Sequence, residues 1–221
     1  DATPSKEEYM ELLLCLFELT KLAKQNLLGL EPHVEDPHSS EIFKRYPSVL
    51  NNHHALDFIC DTLKVQVSMP LPPMEFEELM ETDLEVVHQE EHKIFEVVNR
   101  TAEAMPGLGI VAAVLGVVIT MGKMSQGKEV IGKSVAAALV GTFCGVLFCY
   151  GFIQPLAAKV QLNFDAEGNY MKSIKWALLA FAKDASPKIC VEFARRTIPP
   201  DVRPTFQEVD EATANAGKAA A

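Results

Sequence analysis

The sequence predicts an all-α membrane protein that has a transmembrane helical hairpin and a cytoplasmic helical domain. Two observations carry this prediction. Two apolar blocks, residues 104–122 and 134–158, contain no charged side chain, and a long amphipathic pattern leads directly into the first of them. In addition, no strand-rich segment and no internal repeat stand out along the chain.

The composition narrows the class of protein further. The chain has 221 residues, 48% of them hydrophobic, and a formal net charge of -10. These values exclude a disordered or collagen-like chain, and the missing basic stripe argues against nucleic acid as a partner. The five cysteines form no CxxC motif and lie among apolar residues, which favours packed, reduced thiols over a disulfide or zinc framework.

The first helix is predicted over residues 5–28. Ser5 and Glu8 form a capping box, and apolar residues follow at helical spacing. Gly29 is predicted to end the helix. A polar loop follows over residues 31–40. Two further helices are predicted over about 40–46 and about 49–67, and a proline-rich break lies at 70–73.

A long helix is predicted over residues 74–104. One stripe of this segment is mostly apolar, and the other face is crowded with Glu, Gln, His and Asn. At a rise of about 1.5 Å per residue, about 30 residues form a rod roughly 45 Å long. Residues 1–103 are therefore predicted to form a cytoplasmic helical domain, and its last helix continues into the first apolar block.

The two apolar blocks predict a pair of membrane-spanning helices. Their 19 and 25 residues are enough to cross a hydrocarbon core of about 30 Å. Two buried helices of a large soluble protein are the alternative, but such helices seldom lack charge on every face. Small residues form one seam in each block, which allows close helix packing in lipid; these residues are Ala112, Gly116, Ala137, Gly141 and Gly145.

The chain is predicted to leave the membrane through Lys159. Residues 159–206 are interpreted as C-terminal cytoplasmic helices, one over about 170–183 and one opened by Ser186-Pro187. The tail, residues 207–221, lacks apolar periodicity and is predicted to be disordered. The distribution of Lys and Arg favours cytoplasmic flanks, with the polar loop 123–133 on the other side.

No motif for catalysis is visible, so the sequence does not predict an enzyme. P-loop, GxGxxG, GxSxG, HExxH and paired CxxC motifs are all missing. His88 and His92 are spaced for a shared metal with Glu85 or Glu91, yet a solvated charged face explains them better, and no metal site is predicted. Neither apolar block contains an acid, so any ion-binding carboxylate must come from a partner.

Two prolines mark possible bends near the ends of the apolar blocks. Pro106 stands at the start of the first block and Pro155 near the end of the second, so an antiparallel pair places both at the same membrane level. Each proline removes a backbone N–H group and allows its helix to bend. The alternative is that these prolines simply mark the first or last turn of a helix and have no role in bending. The polar groups of note in the blocks are Thr120, Thr142, Tyr150 and Gln154.

These segments closely resemble the MotA family, the flagellar motor stator subunit. The strings MPGLGIVAAVLGVV (105–118) and VGTFCGVL…YGFIQPLA (140–157) resemble the third and fourth membrane helices of that family. LLGLE (27–31), SEIF…YP (40–47) and VEFARRT (191–197) resemble its cytoplasmic segments. The resemblance spans most of residues 7–206. The family has four membrane helices, so the resemblance implies that the first two are missing here and that the chain is a fragment.

The resemblance also implies roles for particular residues. The cytoplasmic residues 1–100 would push on the rotor protein FliG. The charged rotor-facing positions of the family correspond to Glu31 and Asp83, and its basic position falls on Ala23, so the neighbouring Lys24 is expected to replace it.

The ion pathway and its coupling are implied in the same way. The two functional prolines correspond to Pro106 and Pro155, and the pathway threonine to Thr142, with Tyr150 close by in the same block. Sodium-driven relatives carry another threonine where this chain has Ala113, so a proton-driven motor is implied, with protons or sodium ions as the transported species and no cofactor.

The implied assembly is a ring, pentameric in the family, around a MotB dimer in the bacterial inner membrane. An aspartate on the MotB-like subunit takes and releases the proton, and the protein presented here supplies the apolar wall beside it. A related energy-transducing subunit of the ExbB/TolQ type, which energises an outer-membrane partner, is the alternative function.

Overall fold

The structure, a computed structural model, describes residues 3–219, and within them it contains helices joined by turns and short irregular segments, with no strand. The helices are α1 (Lys6–Gln25), α2 (Glu31–Glu35), α3 (Glu41–Lys44), α4 (Pro47–Asn51), α5 (His53–Ser68), α6 (Pro73–Met121), α7 (Lys128–Phe148), α8 (Gln154–Ala182), α9 (Pro187–Thr197) and α10 (Phe206–Ala219). Short 3₁₀ turns occupy Leu27–Leu30 and Met124–Gln126, and a π-helical turn occupies Cys149–Ile153. The predicted all-α class is confirmed.

The chain divides into two compact units. Within the described residues, the first comprises everything up to Val87 and from Asp165 onward, and the second is His88–Phe164. The predicted boundaries at residues 103 and 158 therefore differ from those of the structure. The reason is that α6 buries Phe76 and Met80 in the core of the first unit and then buries no side chain until Ala102.

The first unit is built around α1. Its apolar side chains occur at helical spacing, so one broad face is buried against α4, α9 and α10. The predicted capping box is confirmed, because the Ser5 hydroxyl accepts from the Glu8 amide and the Glu8 carboxylate accepts from the Ser5 amide. The largest fully buried side chains of this core are Tyr9, Leu12, Leu13, Leu16, Leu19, Leu30, Phe43, Leu56, Ile59, Leu63, Phe76 and Met80.

Helix α1 ends earlier than predicted. Gly29 was expected to stop it, but the last helical residue is Gln25, and Asn26 adopts an extended conformation while its N–H group bonds to the Leu22 carbonyl. The following 3₁₀ turn brings Leu30 into the core, where it is fully buried. Burial of Leu30 thus outweighs the local preference of glycine for a helix end.

Other helix boundaries also differ from the prediction. The loop expected over 31–40 contains α2, because Pro32 suits a first helical turn and Val34 is buried. The single helix expected over 49–67 is two helices, since the side chain of Asn52 accepts from the Ala55 amide and caps α5. The helix expected to begin near residue 170 is part of α8, which starts at Gln154.

The predicted disorder of the tail is wrong for residues 207–219, which form most of α10. Thr205 and Glu208 form a second capping box that starts this helix. Val209 and Thr213 are buried, and α10 packs on α1. Two buried positions one turn apart are sufficient to hold α10 against α1, so this segment shows no long apolar pattern. Residues 220 and 221 of the predicted tail lie outside the described residues.

The second unit contains the predicted hairpin. Two helical stretches of the described chain, Pro73–Met121 and Lys128–Ala182, are long and apolar enough to cross a membrane. Only 11% and 17% of their most apolar windows are buried, so these side chains face outward and do not form a soluble core. Their apolar surface is therefore suited to lipid or to partner subunits, and within this chain the two helices are not buried as a soluble core would require.

Glu192 on α9 provides stabilisation that depends on pH. Its carboxylate accepts hydrogen bonds from Arg195 and Arg196, both at 2.7 Å. Chiefly the Arg195 hydrogen bond lowers the pKa of Glu192 from 4.5 to about 2. Because this pKa is lower in the folded than in the unfolded chain, the stabilisation is fully present above about pH 4.5 and is lost as the pH falls toward 2.

We expect Glu192→Gln to reduce the free energy of unfolding by about 1 kcal/mol at pH 7, since solvent screens this partly exposed pair. The difference between the variant and the wild type should fall to less than half at pH 3. Denaturant unfolding of the detergent-solubilised protein at pH 7, 5 and 3 measures it. A difference that is the same at every pH would contradict the assignment.

Candidate functional site

The candidate site is the seam where α6 and α7 approach each other in the second unit. A Cβ atom on Gly145 would lie 2.6 Å from the Met105 carbonyl oxygen, and one on Gly109 would lie 2.8 Å from the Gly141 carbonyl oxygen. Real Cβ atoms do not come this close to backbone. Glycine is therefore required at both positions, and it allows the backbones of the two helices to touch.

The seam continues along the helices through small residues. Gly141 faces the Ala112 methyl group, and a Cβ on Gly116 would lie 2.4 Å from the Cβ of Ala138. The predicted seam positions Ala112, Gly116, Gly141 and Gly145 are thus confirmed. Two details differ from the prediction. Ala137 is exposed and Ala138 takes its place. Gly109 was missed, although it precedes Ala112 by three residues and so extends the same small-residue ladder.

Thr142 forms a polar contact across the seam. Its hydroxyl donates to the Gly109 carbonyl oxygen at 3.3 Å. An interhelical hydrogen bond of this kind contributes about 0.6 kcal/mol in a membrane protein, so it adjusts the packing rather than creating it. The structure therefore places Thr142 at the closest approach of the two helices, and its role in an ion pathway stays a prediction.

The remaining predicted pathway residues occupy different surroundings. Ala113 lines an entirely apolar groove in the second unit, whose lining residues are Ala113, Val114, Val117, Val118, Val135, Ala138 and Leu139. Tyr150 is 61% exposed on the outer surface and does not line this groove. The structure thus groups Ala113 and Thr142 near the seam and leaves Tyr150 apart from the groove.

Both predicted hinge prolines lie within helices. Pro106 is inside α6, directly after Met105, whose carbonyl meets Gly145. Pro155 is the second residue of α8 and follows the π-helical turn Cys149–Ile153, where the Gln154 N–H group donates five residues back to Cys149. A wider turn gives room for a proline ring, which would otherwise clash with the carbonyl four residues before it. The sequence did not predict the π-helical turn that accommodates Pro155, and the bending at both prolines stays a prediction.

The predicted rotor-facing acids are exposed in the first unit. Glu31 begins α2, and Asp83 lies on α6 three residues after the buried Met80. Their carboxylates are available to a partner. Both come from segments whose apolar neighbours, Leu30 and Met80, are anchored in the core, so the backbone at each acid is held in place.

Lys24 has a partner within the chain. Its ammonium donates to the carbonyl oxygen of Asp184 at 2.6 Å and to the Asp184 carboxylate at 2.7 Å. Asp184 has a positive φ of 63° at the C-terminal end of α8, where this cation caps the helix. The hydrogen bond from Lys24 also lowers the pKa of Asp184. Ala23, the position to which the resemblance assigns a basic residue, is buried.

The histidines singled out in the sequence do not form a metal centre. Across residues 3–219, no group of three or more His, Cys, Asp and Glu side chains is arranged to hold a metal ion. The ring of His92 instead packs edge-on against Phe95, with centroids 6.0 Å apart. Both His88 and His92 lie on an exposed part of α6, as a solvated face requires.

Comparisons with known proteins agree with this architecture. Residues 52–173 match the model of the MotA/TolQ/ExbB proton channel family. The chain is 36% identical to motility protein A of Escherichia coli over 208 residues, which cover 94% of this chain and 70% of that protein. It is 34% identical to chemotaxis protein LafT of Vibrio parahaemolyticus over 210 residues, which cover 95% and 74%.

Two solved structures share the fold. A structure of C. jejuni MotAB superposes with a TM-score of 0.73 at 19% identity and covers 93% of this chain and 72% of the matched chain. The flagellar MotAB stator complex of Bacillus subtilis superposes with a TM-score of 0.69 at 20% identity and covers 87% and 69%. At these identities the likeness concerns the fold alone.

The glycines offer a matched pair of substitutions for testing the seam. Gly145→Ala should reduce the free energy of unfolding by about 1–3 kcal/mol, because the new methyl group overlaps the Met105 carbonyl. Gly107→Ala, on α6 with nothing within 4 Å of its added methyl group, should instead raise it by up to about 1 kcal/mol, the ordinary gain of alanine over glycine in a helix. Thermal unfolding in detergent compares the two, and equal stability of the two variants would show that the helices do not pack here.

Proposed function

The chain belongs to the MotA/TolQ/ExbB proton channel family and is a flagellar motor stator subunit, and we propose that it couples ion flow across the bacterial inner membrane to torque on the rotor. The observation that carries this proposal is the 36% identity to a motility protein over 94% of the chain. In this proposal the chain is no enzyme and needs no cofactor, and its flanking domains are cytoplasmic.

The ion-binding group is proposed to come from a partner. Residues 104–122 and 134–158 contain no Asp or Glu, and the solved structures with this fold are complexes named MotAB. We therefore assign the carboxylate to a MotB-like subunit. Its protonation removes a charge that costs about 3 kcal/mol at the centre of a membrane helix, so the preferred arrangement of the neighbouring helices changes. The apolar groove lined by Ala113 supports this assignment, since it offers no competing charge.

The change is proposed to travel through α6. This single helix contains two of the seam glycines, Gly109 and Gly116, together with Pro106 and Asp83, so no loop interrupts the path between them. Pro106 lacks a backbone N–H group, and the π-helical turn before Pro155 departs from α-helical hydrogen bonding, so both are places where a helix can bend. Thr142 accompanies this bending as the polar contact of the seam.

Torque is proposed to reach the rotor protein FliG through Glu31 and Asp83, by charge complementarity. Self-association into a ring, a pentamer around a dimeric MotB-like partner, is part of the same proposal. The exposed apolar residues of α6 outside the hairpin support it, because water is a poor environment for such a stripe; they are Leu79, Val86, Val87, Ile94 and Val97. The ion pair with Asp184 leaves Lys24 a weaker candidate for a rotor contact than the two acids.

Charge reversal tests the rotor contacts. In a strain that lacks its own stator gene and expresses the full-length gene, we expect Glu31→Lys and Asp83→Lys each to reduce swimming speed at least twofold. Glu78→Lys, at another exposed acid of α6, serves as the control and should leave swimming unchanged. An opposite charge reversal on FliG should restore speed. Unchanged torque in both acid variants at normal protein levels would remove the rotor assignment.

Ion substitution tests the transported species. With Ala113 in place of a threonine, we expect swimming to continue when all sodium is replaced by potassium, and to stop when a protonophore collapses the proton gradient. Swimming that stops in potassium medium while the proton gradient persists would identify sodium as the driving ion.

A further inference from the structure

The N-terminal part of α6 is attached to the first unit by a narrow line of apolar contacts. Phe76 and Met80 are almost fully buried, and Leu84, four residues later, is half-buried. Residues spaced by four lie almost above one another on a helix, so these side chains define one line along it. Contacts along one line hold a helix against a core but resist rotation about the helix axis poorly.

A buried cation contacts α6 on its flank. The ammonium of Lys175 on α8 forms an ion pair with the Glu81 carboxylate, and the Lys175 side chain is only 9% exposed. The ammonium also lies 5.6 Å from the centroid of the Trp176 ring, and that ring stacks on Phe193 with centroids 6.4 Å apart. An ammonium with so little access to water depends on its ion-pair partner to offset the lost hydration of its charge. This dependence sets the pair apart from the ion pairs on the surface.

The geometry of the helix connects this ion pair to Asp83. Glu81 projects about 100° away from the apolar line, so the pair restrains the rotation that the line permits. Asp83, two residues later, points to nearly the opposite side. A rotation of about 20° would move a side chain at the helix surface by roughly 2 Å, which is enough to break a charged contact with a partner.

We propose that Lys175 is a positioning residue that fixes the rotation of α6 through Glu81 and so sets the direction in which Asp83 faces the rotor. This inference rests on the proposed stator function. Lys175 itself contacts no partner in this scheme. Its contribution is to hold a helix whose buried apolar anchors act along a single line.

Lys175→Met tests the proposal with little risk to the fold, since a methionine of similar length fills the buried site without a charge. We expect amide hydrogen exchange of residues 77–87 to accelerate at least fivefold in the purified full-length stator complex, and swimming speed to fall to half or less. The melting temperature should change by only a few degrees. Lys183→Met is the matched control, because Lys183 pairs with Glu77 on the same helix at 4.0 Å and is half exposed, so neither readout should change.

A second pair of variants separates positioning from stability. Glu81→Gln leaves the ammonium of Lys175 buried without its partner and should lower the melting temperature. The double variant Lys175→Met with Glu81→Gln should regain the melting temperature but not the swimming speed. Normal exchange or normal swimming in Lys175→Met would overturn the proposal, as would swimming that recovers with stability in the double variant. Restoration of swimming by the wild-type gene tests the stator function separately.

Discussion

The contact between the backbones of α6 and α7 at Gly109 and Gly145 is the constraint on which the hairpin depends. Lipid tails are as apolar as leucine, so two apolar helices gain nothing in a membrane from burial alone. Dispersion attraction at short range must take its place, and it declines steeply when a gap opens. Because a methyl group on Gly145 would lie 2.6 Å from a carbonyl oxygen, only glycine brings the helices within that range.

This fixed contact lies close in sequence to a proline and to the π-helical turn, where regular α-helical hydrogen bonding is interrupted. Pro106 follows Met105, the residue whose carbonyl touches Gly145, and the π-helical turn begins four residues after Gly145. A charge at the membrane centre costs about 3 kcal/mol, whereas an interhelical hydrogen bond such as that of Thr142 contributes about 0.6 kcal/mol. In the proposed mechanism, a proton that neutralises a partner's carboxylate therefore outweighs this local contact. It bends the helices at the prolines and leaves the glycine contact in place.

The first unit follows different physics, because water drives its apolar residues together. Helix α1 forms its centre, and segments as distant in sequence as α6 and α10 complete the core. The acids assigned to the rotor stand on the surface of this core, next to buried residues that hold their backbones. The ion pair of Lys175 and Glu81 adds the restraint on rotation that the apolar contacts of α6 do not supply.

The sequence alone determined the all-α class, the two long apolar helices, four of the seam residues and the capping box of α1. Each depends on local periodicity, charge or spacing, which a single segment reveals. Only the tertiary structure decided that side chains between Tyr170 and Val209 share a core with α1, that Gly109 belongs to the seam, and that Lys24 caps α8. These facts depend on which distant segments meet. Neither the two buried positions of α10 nor the Asp184 partner of Lys24 leaves a pattern within its own segment.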